Sequence, residues 1–89
     1  MFTQDYEYHL LTRMMFNRKL YMLENELIRI DELKSEYAFK YKSRDYYCRM
    51  DDILTSVNSI IEAINKYSLS PYIDMVKYRL LLHKYGFTI

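Results

Sequence analysis

Apolar residues recur at alternating three- and four-residue intervals in two long stretches, and no glycine or proline interrupts the chain from Met1 to Ser70. That spacing gathers apolar side chains on one stripe of a helix, and such a stripe is stable only when it packs against another element. In the first stretch Phe16, Leu20, Leu23, Leu27 and Ile30 continue to Tyr37 and Tyr41 in heptad register, with Lys34 as an interruption. Upstream, where Arg13 and His9 occupy the register, the apolar load moves sideways to Leu10, Leu11, Met14 and Met15. In the second stretch Tyr46, Met50, Ile53, Val57, Ile60, Ile64 and Tyr67 keep the rhythm without a miss, and Tyr47, Leu54 and Ile61 widen the stripe by one column.

Capping signals divide these stretches. Thr3 suits an N-cap, with Asp5 and Glu7 at the positive end of the helix dipole, so a first helix is expected over about residues 4–41. Ser43 is the best break, with a short turn at 41–44 and a second helix over about 44–67. Ser70 as N-cap and Pro71 at the first helical position open a third helix over about 71–85. Its end carries His83 and Lys84, then Gly86 for a left-handed residue, with Phe87 able to fold back on Leu82. The expected fold is all-α. A long antiparallel, coiled-coil-like hairpin is joined by a C-terminal helix in a three-helix bundle, one domain spanning residues 1–89.

Composition changes this picture little. The chain is 51% hydrophobic and 28% charged, as folded proteins are, but 89 residues bury a modest core, so a homodimer is expected. A formal net charge of +1 gives no global attraction to nucleic acid or an anionic membrane. A lone cysteine, Cys48, excludes an internal disulfide and fits a reducing cytoplasm, and the opening residues lack the basic and apolar pattern of a signal peptide or a membrane span.

Candidate chemistry is sparse. His9 and His83 have no histidine at helical ligand spacing, and Asp51 and Asp52 are adjacent, so they do not converge as an acid–base pair. Cys48 falls beside the second seam, where half-burial is expected, with only Arg44 and Arg49 near it in sequence. No enzyme, metal or cofactor is expected. The denser signal is the stretch from Tyr37 to Arg49, where Tyr37, Phe39, Tyr41, Tyr46 and Tyr47 mix with Lys40, Lys42, Arg44 and Arg49. The plain reading closes the seam with tyrosines and pairs Glu36 with Lys40 and Asp45 with Arg49. The sharper reading uses rings beside cations to stack bases and neutralise phosphates.

Tyrosine occurs eleven times, and its rigid amphipathic ring favours protein interfaces. Met14, Met15 and Met22 lie off the main seam of the first helix and can adapt to an irregular partner, or to Leu69, Ile73, Val76 and Leu80 of the third helix. In general look the chain is similar to small accessory proteins of phages and other mobile elements, a likeness of style that transfers no residue. The expected function is a cytoplasmic protein–protein interaction module, an adaptor or inhibitor of a host or viral protein. Tyr41, Tyr46, Tyr47, Met14, Met15 and Met22 would carry it. A nucleic-acid-binding transcription regulator using Lys40, Lys42, Arg44 and Arg49 is the alternative, and a structural assembly subunit a third.

Overall fold

A computed structural model describes residues 2–66 and 75–87 of the protein, the side chains of 2–12 excepted. The described residues form three α-helices and no strand: α1 (Phe2–Glu36), α2 (Arg44–Asn65) and α3 (Val76–Lys84). The molecule is elongated, 61 × 20 × 16 Å. At about 1.5 Å per residue α1 alone accounts for about 52 Å of the long axis. The expected boundary at Ser68–Pro71, with Tyr67, Leu69 and Ile73, lies outside the described residues, as do the side chains of His9, Leu10 and Leu11.

α1 and α2 pack on each other as a hairpin. Phe16, Leu20, Leu23, Leu27 and Ile30 of α1 are buried against Tyr46, Ile53, Val57, Ile60 and Ile64 of α2, with Met50, Leu54 and Ile61 partly buried at the edge. Leu23, Leu27, Val57 and Ile64 are wholly shielded from water. Each such side chain contributes about 1.5–3 kcal/mol of transfer free energy, so this seam outweighs any surface contact in the molecule.

The structure corrects α1 at both ends. Thr3, expected as the cap, is already inside the helix, and the helix stops at Glu36, not near residue 41. The next buried position after Ile30 is Leu33 (3% exposed), while Lys34 points to solvent. The buried positions there are spaced three residues apart twice running, Leu27, Ile30 and Leu33, so the inward column steps off the heptad register before α1 ends. Tyr37 still packs on the core, but Tyr41 is 89% exposed and belongs to no seam.

Without glycine or proline, α1 ends by tightening. Tyr37 N–H donates to Leu33 O, then Ala38 N–H to Ser35 O and Lys40 N–H to Tyr37 O, the i→i−3 pattern that closes a last turn. Residues 41–43 have no regular secondary structure, and Ser43 (φ −76°, ψ 176°) enters α2 in the extended backbone conformation of an N-cap without a side-chain capping bond.

α3 contributes Tyr78, Leu81 and Leu82 to the same core. Val76 and Leu80, expected to cover the methionines of α1, point outward instead. The C-terminus of α3 is a Schellman motif: Phe87 N–H donates to Leu82 O at 2.8 Å and Gly86 N–H to His83 O at 3.1 Å. Gly86 takes the required left-handed φ of 83°, and Phe87 packs against the core.

Tyr78 is fully buried, and its hydroxyl donates to Asn65 Oδ1 at 3.3 Å, tying α3 to the end of α2. Burial raises its phenol pKa above the ordinary 10.0. Stabilisation from the neutral phenol is therefore complete below pH 10.0 and falls as pH climbs past that value, because the unfolded chain ionises first. Urea titrations should show Tyr78→Phe costing about 1 kcal/mol at neutral pH. The deficit should shrink above pH 10.0, and a deficit that grows there would contradict the burial. Leu27→Ala should cost about 2–5 kcal/mol, against about 0.5 or less for the exposed Ser59→Ala.

Candidate functional site

The aromatic and basic residues singled out between Tyr37 and Arg49 lie at the closed end of the hairpin, on the 37–43 connection and the first turns of α2. Two layers can be distinguished. The inner layer is structural. Tyr46 is only 6% exposed, and its ring meets Tyr37 edge-on at 5.0 Å and Tyr47 edge-on at 5.1 Å. Such pairs contribute about 0.5–1.5 kcal/mol beyond the area they bury. Lys42 Nζ stands 5.3 Å above the Tyr46 ring and Lys40 Nζ 5.8 Å above Tyr37, so each ring offers one face to a cation.

Polar contacts lock the same layer. Tyr37 hydroxyl donates to Asp45 Oδ2 at 3.2 Å, and Arg49 Nη1 donates to Glu36 Oε2 at 2.8 Å across the two helices. Arg49 also lies 3.7 Å from Asp45. The hydrogen bond to Glu36 is the main cause that raises the Arg49 pKa above its ordinary value, and the charges of Glu36 and Asp45 add to it. Glu36 was expected to pair with Lys40 along one helix; it bridges to Arg49 instead, because α1 ends before Lys40 reaches helical register.

The outer layer is what remains exposed. Phe39 is completely exposed, Tyr41 is 89% exposed and Tyr47 is 58% exposed. Lys40, Lys42 and Arg44 are exposed beside them. Of the six residues expected to dock a partner, Tyr41 and Tyr47 therefore present their rings at the tip, whereas Tyr46 is committed to the core. Phe39 was noted in the sequence but not put among the docking residues. Its signal is that it belongs to neither helical stripe, so nothing is available to bury it.

Met14, Met15 and Met22 are exposed on the shaft of α1, far from the tip, and do not form one face. At 100° per residue Met14 shares a column with Tyr21 and Ile28, while Met15 and Met22 share another, and the exposed Arg18, Asn25 and Arg29 lie between them. Arg29 there pairs with Glu26 at 2.9 Å.

Other candidates stay separate. Cys48 is exposed, not half-buried, since the α2 stripe turns it outward. Asp51 and Asp52 are exposed, and Asp52 shares a shallow groove of mixed charge with Arg29, Glu32, Glu36 and Arg49. Among the described residues no group of three or more His, Cys, Asp or Glu converges as a metal site, and no helix is long and apolar enough to cross a membrane.

No family model, curated protein or solved structure matches this chain. The tip is therefore read from its own geometry. The two layers predict opposite responses to substitution. Tyr37→Leu should lower the unfolding free energy by about 1 kcal/mol through the lost ring pair and hydroxyl bond, while Tyr41→Leu should change it by less than about 0.5. Equal losses in urea denaturation would contradict the division.

Proposed function

We propose that the protein is a non-enzymatic protein–protein interaction module, an adaptor or inhibitor, that presents its hairpin tip to another protein. The observation that carries this reading is the exposure of Phe39, Tyr41 and Tyr47 on a base immobilised by Tyr37, Tyr46, Asp45, Glu36 and Arg49. Aromatic rings at such a tip lose hydrophobic free energy to water in the isolated chain and regain it in a partner's cleft. A rigid base also lowers the conformational entropy lost on docking.

In this reading the third helix completes a three-helix bundle, α3 lying along α1: Lys77 and Leu81 border a groove with Asn17, Leu20, Tyr21 and Glu24, and Tyr85 lies by Ile28 and Asp31. The exposed column of Met14, Tyr21 and Ile28 supports a homodimer that leaves the tips free. The cytoplasm remains the proposed compartment.

A nucleic-acid regulator is the second reading, favoured by Lys40, Lys42 and Arg44. It has lost one of its four cations, because Arg49 is held by Glu36 and Asp45. Immobilised wild-type protein and a Phe39→Ser/Tyr41→Ser/Tyr47→Ser variant, both exposed to the native cell extract, separate the readings. Retention of a protein that the variant binds roughly thirtyfold more weakly is expected. Equal retention by both contradicts docking through the tip. Circular dichroism should show the variant as helical as wild type, since all three rings are exposed.

A further inference from the structure

The charge at the tip is not balanced within it. Asp45 accepts from Tyr37 and lies beside Arg49, and Glu36 is bridged to Arg49, so the nearby acids are committed. Lys40 and Lys42 rest on ring faces, which leave the ammonium charge uncancelled, and Arg44 makes no ion pair among the described residues. Arg44 is moreover the first residue of α2, at the positive end of the helix dipole, a place where a cation is disfavoured for stability. Three cations without an acidic partner among the described residues are thus crowded around three exposed rings, and Arg44 stands where folding alone does not reward a cation.

The shafts behind the tip carry both signs, with Arg18, Arg29 and Lys34 exposed on α1. Asp31 and Glu32 on α1 and Asp51 and Asp52 on α2 are exposed. At the tip, at the end of a molecule 20 × 16 Å in section, three cations without an acidic partner among the described residues stand beside three exposed rings. A polynucleotide running past that cap would find cations for only a few phosphates and, on a chain of formal net charge +1, mixed charges and no extended positive track beyond it. A short peptide segment with a few carboxylates around an apolar anchor fits the cap without touching the shafts, and the charge match steers its approach.

We propose that the tip binds an acidic segment of its protein partner, with carboxylates against Lys40, Lys42 and Arg44 and apolar side chains against Phe39, Tyr41 and Tyr47. This rests on the docking reading above and names the chemistry of the partner. The full chain, immobilised, is used to select from a random library of displayed 12-residue peptides, with a 12-nucleotide oligothymidine measured in parallel.

The expected outcome is enrichment of peptides combining Asp or Glu with Leu, Ile, Phe or Trp. Their binding should fall roughly tenfold in Lys40→Glu/Lys42→Glu/Arg44→Glu and weaken as salt is raised. The Phe39→Ser/Tyr41→Ser variant should lose binding as well. Enriched peptides that are neutral or basic, no enrichment at all, or oligothymidine binding as tightly as the best peptide would each overturn the proposal. The first of these, with binding still dependent on Phe39 and Tyr41, would leave tip docking standing and remove only the acidic partner. Peptides held equally by the Phe39→Ser/Tyr41→Ser variant would remove tip docking itself.

Discussion

The structure depends on the dry seam between α1 and α2. Leu23 and Leu27 on one helix and Val57 and Ile64 on the other reach complete burial, and every other feature is positioned by their contact. Because the seam runs nearly the whole length of α2, it fixes which residues of α1 face the end of the hairpin. The inward column reaches Leu33 and Tyr37 just as α1 tightens into its last turn. Tyr37 can then close on Tyr46 while the next residues have no helix to join. The exposed tip follows from a seam that runs out of partner, not from a separate folding element.

The tip illustrates how one residue type is sorted by position. Tyr46 lies on the α2 stripe and is buried; Tyr47 lies one column away and keeps a ring edge against Tyr46 while more than half of it faces water. Tyr41, between the two helices, has no stripe to join and is open. The same sorting acts on cations. Arg49 reaches back across the hairpin to Glu36, whereas Arg44, one turn earlier on α2, has no acid within ion-pair distance among the described residues. Burial takes one ring and pairing takes one cation, and what they leave exposed is a cap of aromatic and basic groups.

Much of this was legible in the chain. The α2 stripe was clear because every position at the four–three interval from Tyr46 to Ile64 is apolar, so no competing face exists. Gly86 marked the end of α3 because only a left-handed residue can redirect the chain there, and Phe87 follows it onto the core. The end of α1 was not legible, since Tyr37 and Tyr41 prolong the apolar rhythm and no glycine or proline marks a stop between them. The fate of individual tyrosines was equally hidden, because a ring with a polar end suits a core edge and open solvent alike. Val76 and Leu80 look like core residues in the sequence, yet Tyr78 and Leu82 take that role and rotate them outward.

The central claim is that the chain doubles back between Glu36 and Arg44, bringing α1 and α2 side by side and leaving residues 37–43 at an apex. Spin labels at Asn25→Cys and Asn58→Cys, in a Cys48→Ser background, measure this directly when the labelled chain is diluted into unlabelled protein. Helix axes packed 8–10 Å apart place the labels at about 15–25 Å, whereas an unbroken helical rod would separate them by about 50 Å. A single narrow distribution at the shorter distance is predicted, and a population centred near the longer one would contradict the hairpin and with it the tip.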